Sequence, residues 1–398
     1  MTSPPSAPGP VIALVAGEAS GDQLGAALVA RLRQTWPRAT FVGIAGPRMR
    51  EAGVDAWWDT QELAVMGLFE VLKHLPRLLQ LRRALARRLL ALRPNLFIGI
   101  DAPDFNLGLE IRLRRAGIRT AHYVSPTVWA WRQKRVRKIG RAADLVLCLF
   151  LFEPAFYAGH GVAAAYVGHP MADQIDLADD PASQQVEARA SLGLDPVVPT
   201  FALLPGSRVS EVDLLAAPMI DAALRLRERL PGAQFVAAMA NARVAGTFEA
   251  AMTAAGLPRI TLVQDRPRQV MAAADVVLCA AGTATLETML VNRPLVMVYR
   301  LARPTYLMAK HLKLIRPQLF ALPNILAGER LVPELIQDEA NGERLAEEAL
   351  RWLENPQQAA ALRERFRDLH RQLRCDASGR AAAAVAALLE RDRGRAPD

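Results

Sequence analysis

Four short stretches carry side chains whose types and spacing suit chemistry, and each follows an apolar run. LVAGEASGD (14–22) leaves the run VIALV and offers Glu18 and Asp22 around Ser20 and two glycines. IGIDAPDFN (98–106) places Asp101 and Asp104 just after a strand-like end. One of these carboxylates can act as a general base while the other orients it or the substrate. ALLPGSR (202–208) gathers backbone N–H groups at Gly206, the Ser207 hydroxyl and the planar Arg208 guanidinium, a set that suits a phosphate. CAAGTATLETML (279–290) passes through Gly282 into a helix that begins near Thr283 or Thr285, and a helix N-terminus favours anions. Glu287 falls about one turn in, where its carboxylate can accept hydrogen bonds from ribose hydroxyls.

Each stretch also has a plainer reading. Gly17 and Gly21 can serve a tight turn, by close approach or positive φ, with Ser20 or Asp22 capping the helix. Asp104 is a natural cap for its own helix. PGSR can be a surface turn with a solvated arginine, and GTATLE an ordinary capped helix. The D-x-x-D spacing lacks a third acid, so a metal is not expected. Cys148, Cys279 and Cys375 are far apart, which fits neither a disulfide framework nor a zinc site. The first loop is not G-x-G-x-x-G, which counts against a dinucleotide oxidoreductase, and no cofactor is expected. Together the stretches set acids in the first half and anion-binding groups in the second. A nucleotide-sugar enzyme divides its work in that way, with the acceptor and base on one side and the leaving group on the other.

The elements that must position these loops alternate. Strand candidates at 11–17, 39–46, 95–101, 119–125, 144–150 and 164–169 are mostly separated by helical patterns. After an acidic, polar connection at 173–187 the alternation restarts at 199–206, 233–240, 259–264, 275–282 and 293–300. Such alternation predicts an α/β protein with two doubly wound parallel sheets, ligands gathering beyond the carboxyl ends of the strands in an interdomain cleft. The expected division is a disordered Pro/Ser-rich leader (1–10), an acceptor- and membrane-facing domain (11–180), a nucleotide-sugar domain (181–355) and C-terminal helices (356–398). Those helices are expected to pack back on the first domain or to be exchanged between the subunits of a homodimer.

Composition narrows the partners. Lys and Arg number 49 against 40 Asp and Glu, a formal net charge of +9, which favours an anionic partner. No nucleic-acid motif appears, so nucleic acid is not expected. The start lacks the basic segment of a signal peptide, and no apolar run is long enough to span a bilayer, so a cytoplasmic protein is expected. The stretch 66–93 is a basic amphipathic helix, and most of its leucines fit a core stripe. Met66, Leu68, Phe69 and Leu72 fall outside that stripe, beside Lys73 and Arg77, and suit an anionic leaflet or acyl chains. A second basic apolar stretch at 300–320 strengthens that expectation.

These segments, with GIAGPRM, HYVSPTVWAWRQKRVRKI, VGHPMAD, MVYR and LPNILAG, resemble the lipid-A-disaccharide synthases across about residues 11–335. The resemblance implies two Rossmann-like domains of the GT-B type, peripheral on the inner face of the inner membrane. It implies an inverting transfer from UDP-2,3-diacylglucosamine to 2,3-diacylglucosamine 1-phosphate, giving the β-1,6 disaccharide 1-phosphate and UDP. Asp101 would be the base, and Glu18 and Asp104 would position it or the acceptor. Gly206, Ser207, Arg208, Gly282 and Thr283 would hold the departing UDP, Glu287 the ribose, and Asn324 would touch the donor. The alternatives are another UDP-N-acetylglucosamine enzyme, namely a cell-wall lipid-linked transferase or an epimerase, and a non-catalytic nucleotide- or lipid-binding protein.

Overall fold

The computed structural model describes residues 9–63, 68–126, 135–177, 180–257, 260–302, 306 and 319–390, with the backbone alone over 68–74. Met66, the side chains of Leu68, Phe69, Leu72 and Lys73, the leader up to residue 8, the tryptophan-containing 127–134 and most of 300–320 lie outside the described residues. The chain divides into two compact units: Met1–Asp173 together with Leu373–Asp398, and Gln174–Gln372.

The first unit is built on β1 (Val11–Ala16), β2 (Thr40–Ala45), β3 (Asp55–Asp59), β4 (Leu96–Ile100), β5 (Arg119–Tyr123), β6 (Leu145–Cys148) and β7 (Ala164–Tyr166). They form one sheet in the order β3-β2-β1-β4-β5-β6-β7, and every pairing is parallel. β4, LFIGI, is buried at every position, as strands covered by helices on both faces must be. The second unit repeats the plan with β8 (Thr200–Leu204), β9 (Gln234–Met239), β10 (Thr261–Gln264), β11 (Val276–Ala280), β12 (Leu295–Tyr299) and β13 (Glu334–Ile336). Its order is β10-β9-β8-β11-β12-β13, again parallel throughout. Both sheets are doubly wound, as the alternation predicts.

Strand order reverses at β1/β4 in the first sheet and at β8/β11 in the second. At such a switch point the connections leave in opposite directions and open a crevice at the carboxyl ends. All four chemistry-bearing stretches leave from these four strands. Two edge strands have no counterpart in the expected set. β3, DAWWD, has an aspartate at each end and joins β2 across a register shift at Gly43/Ile44. β13 is only three residues long and includes the buried Glu334.

Asp22 does not cap its own helix, Ala19–Thr35, and neither does Ser20; Glu18 is the N-cap residue and its side chain makes no cap bond. The buried Asp22 carboxylate instead accepts the N–H groups of Gly46 (2.8 Å), Arg48 (2.9 Å) and Met49 (3.1 Å), closing the start of the short helix Pro47–Glu51. Asp22→Ala leaves those donors without their acceptor. It should cost about 2–3 kcal/mol, read as a fall in Tm of about 5–10 °C; an unchanged Tm would show that the cap carries no stability.

The helical tail is divided between the units. Residues 356–372 belong to the second, while the helix Ala377–Glu390 packs on Ala19–Thr35 of the first. The Asp173 carboxylate fixes this return by accepting N–H bonds from Cys375 (2.9 Å), Asp376 (3.0 Å) and Ala377 (2.6 Å).

Candidate active site

The β1 and β4 loops of the first unit meet. A Cβ on Gly17 would lie 2.8 Å from the Ala102 Cβ, so glycine there serves close approach. Glu18, beside this contact, is exposed. At the end of β4 two successive residues, Asp101 (φ 51°) and Ala102 (φ 44°), adopt the left-handed region. Val124, just past β5, has φ 78°. Non-glycine residues rarely sit there, a β-branched one least of all, and such strain gathers at functional sites.

Named hydrogen bonds hold the Asp101 turn. Its N–H donates to the Tyr123 carbonyl (2.8 Å), and its carbonyl accepts from Asn106 Nδ2 (2.9 Å). Phe105 and Asn106 both donate to the Ala102 carbonyl (3.0 Å). Asp101 is half-buried. The Asp104 side chain is 85% exposed and faces Arg135 at 3.5 Å. Asp104 is not the cap of Pro103–Arg115, because Ala102 occupies that position. The backbone thus fixes Asp101 far more closely than Asp104.

Directly beneath lies a pair that sequence reasoning missed. His122 on β5 and Glu110 on the helix Pro103–Arg115 are wholly buried, with Nδ1 and Oε1 2.7 Å apart. Burial alone would lower the His122 pKa. The charge and hydrogen bond of Glu110, with the charge of Asp101, outweigh that and raise it. The signal was present as single polar residues inside the apolar runs LGLEIRL and RTAHYV.

In the second unit Gly206 has φ 123°, and a Cβ on it would meet Glu211 Oε2 at 2.5 Å. Glu211 is the other residue missed. Its Oε2 accepts the N–H groups of Ser207 (3.0 Å) and Arg208 (3.3 Å), and its Oε1 lies 3.1 Å from Arg208 Nη1. One carboxylate therefore holds the donors expected to cradle a phosphate. The arrangement is also the capping box of the long helix Val209–Arg229.

At the end of β11, Gly282 (φ 119°) caps the helix Thr283–Leu290. Glu287 is mostly shielded and pairs with Arg268 at 3.3 Å. Thr285 Oγ1 accepts the Leu322 N–H (3.1 Å), which ties this helix to the LPN segment. Asn324, expected to touch the donor, is bonded within the fold. It is fully buried, its Oδ1 accepts from Leu331 (2.8 Å) and Val332 (2.9 Å), and its Nδ2 donates to the Val332 carbonyl (2.9 Å) and Glu334 (2.8 Å). The amide is saturated within the fold, so it shapes the loop. Among the described residues no group of three or more His, Cys, Asp or Glu is placed to hold a metal ion.

Two doubly wound parallel sheets, each with its loops gathered at a switch point, define the two-Rossmann-domain class of proteins. Solved structures share this fold. A UDP-GlcNAc 2-epimerase from Neisseria meningitidis bound to UDP-GlcNAc has a TM-score of 0.63 at 12% identity, covering 96% of this chain and 99% of that one. A glycosyltransferase from Rickettsia africae has a TM-score of 0.59 at 10% identity, covering 97% and 99%. The family model described as lipid-A-disaccharide synthetase matches residues 12–385, and the chain belongs to that family. The lipid-A-disaccharide synthase of Xanthomonas campestris is 53% identical over 96% of this chain and 86% of its own length. That of Xylella fastidiosa is 51% identical, covering 96% and 98%.

Proposed function

We propose that the chain is the inverting glycosyltransferase that joins UDP-2,3-diacylglucosamine to 2,3-diacylglucosamine 1-phosphate. The observation that carries the mechanism is Asp101, held in a left-handed turn by Tyr123 and Asn106 at the first switch point. Its carboxylate takes the proton of the acceptor 6-hydroxyl as that oxygen attacks the anomeric carbon. The bond to UDP breaks on the opposite face, so the α-linked donor gives a β-1,6 product. No protein nucleophile and no cofactor is needed.

Glu18 lies beside the Asp101 turn and orients the acceptor. The N–H groups of Ser207 and Arg208, the Arg208 guanidinium and the start of Thr283–Leu290 stabilise charge on the departing diphosphate. Glu287, oriented by Arg268, binds ribose. Glu211 yields its N–H partners to the phosphate when the donor binds. Asn324 keeps the donor-side loop in shape.

The acylated substrates place the reaction at an anionic membrane surface on the cytoplasmic side. Among the described residues no helix is long and apolar enough to cross a membrane. In the helix Leu68–Leu92, Arg83, Arg87 and Arg88 are exposed, and Leu75 is 42% exposed. Arg77 is exposed and paired with Glu62. A cationic face of this kind adheres to an anionic leaflet.

The test is UDP release by the full chain in detergent, with UDP-2,3-diacylglucosamine or UDP-GlcNAc, with and without the acylated acceptor. Release only from the diacyl donor, and only with acceptor, is expected. Epimerisation or turnover of UDP-GlcNAc would replace this reading with the epimerase or cell-wall alternative. In parallel, vesicles containing phosphatidylglycerol should sediment the wild type and lose the Arg83→Glu/Arg87→Glu variant. Equal sedimentation would remove this face from the membrane contact.

A further inference from the structure

We propose that His122 is a positioning residue for Asp101, acting with Glu110 as a buried ion pair beneath the catalytic turn. The inference rests on Asp101 being the base. The sheet register sets His122 beside Gly99 and Tyr123 beside Ile100, so the imidazole stands just below the turn while the next carbonyl takes the Asp101 N–H. On the other side His122 pairs with Val146, which does not titrate. The titratable groups that face it are Glu110, from the helix Pro103–Arg115, and Asp101, from the end of β4.

The surroundings are built for the pair. A Cβ on Gly99 would lie 2.2 Å from Glu110 Oε1, so the glycine before Ile100 makes room for the carboxylate against the strand. Asn106 and Glu110 lie one turn apart on the same helix. Asn106 holds the Asp101 carbonyl and Glu110 holds His122. One helix face therefore clamps both the turn and the imidazole below it. Among the described residues, the buried His122 Nε2 and Glu110 Oε2 find no hydrogen-bond partner.

A buried ion pair is a poor source of stability, because desolvation of both charges offsets their attraction. The pair has a better use in holding the turn above it. Glu110 and Asp101 both draw a proton toward the imidazole against the cost of burial, so the ring is coupled to the Asp101 turn through charge as well as through the sheet. His122 itself is sealed from substrate, so it transfers no proton in the reaction. Its contribution is electrostatic and orientational.

The test compares His122→Gln, Glu110→Gln and Asp101→Asn in the full chain. Each of the first two keeps a hydrogen bond across the pair and removes the ion pair. Both should leave UDP affinity within about twofold and lower kcat at pH 7 about tenfold. Both should also move the acid limb of kcat/KM to higher pH. If Asp101→Asn abolishes turnover while both glutamine variants keep the wild-type limb, the pair is structural only and the proposal fails, although the base assignment stands. If Asp101→Asn keeps turnover, the base assignment itself fails. A second readout needs no core substitution: the NMR titration of the His122 ring should move to lower pH in Asp101→Asn. An unmoved titration would overturn the coupling whether or not the glutamine variants fold.

Discussion

Asp101→Asn should bind UDP as the wild type does and turn over about a thousandfold more slowly. General base catalysis contributes roughly a hundred- to ten-thousandfold, and the amide cannot take the proton of the acceptor hydroxyl. The geometry gives this variant unusual diagnostic value. The Asp101 turn is held through main-chain atoms, its N–H on the Tyr123 carbonyl and its carbonyl on Asn106. Asparagine tolerates the left-handed region at least as well as aspartate. The backbone should therefore stay in place while the chemistry stops. Single-turnover rates and UDP binding by calorimetry separate the two effects. Turnover within tenfold of wild type would shift the base role to Glu18 or Asp104. The exposure of Asp104 and its pairing with Arg135 argue against the latter.

Arg208→Ala should lower kcat/KM about a hundredfold or more and weaken UDP binding. Donors aimed at developing charge are worth about two to three orders of magnitude in turnover where they have been removed singly. Arg208→Lys should restore only part, because an ammonium replaces a planar fork with a point charge. The Glu211 contacts add a second arm. That carboxylate occupies the same Ser207 and Arg208 groups that the proposal gives to phosphate. Glu211→Gln keeps an acceptor for the helix cap and removes the competing charge. It should tighten UDP binding severalfold by calorimetry. Weaker binding in Glu211→Gln would mean that the carboxylate orders the loop for phosphate and does not compete with it.

The long apolar strands were legible because parallel strands buried on both faces read as continuous apolar runs. The loops were legible for a related reason. Gly206 and Gly282 do take the positive φ that only glycine adopts freely, and each announced a turn at a strand end. Gly17 announced a different need, close packing against Ala102, while a Cβ on Gly21 would meet only ordinary contacts, and their spacing could not tell the two apart. The bends at Asp101, Ala102 and Val124 were hidden, because nothing in an aspartate, an alanine or a valine signals a left-handed residue. Asp22 shows the limit on caps. Its position fits its own helix, yet its carboxylate reaches another helix more than twenty residues away in sequence. Asn324 shows the limit on roles. A polar residue in a motif reads as a ligand contact, and the four bonds that its amide makes within the fold could not be read from the motif. Glu110 and His122 lay in view as polar residues in apolar runs, but pairing them required knowing that their helix and strand pack together.

The first unit is not contiguous in the chain: its last piece begins at Leu373, after the whole second unit. Synthesis runs from the amino end, so Ala19–Thr35 emerges from the ribosome long before the helix that covers it. Until residues 375–377 are made, Asp173 has none of its three amide partners, and Ala19–Thr35 lacks the helix that packs on it. The second unit is encoded in one run between residues 174 and 372. Vectorial synthesis thus makes every residue of the second unit before the piece that completes the first, so the half that carries Asp101 cannot be finished until the other has been translated.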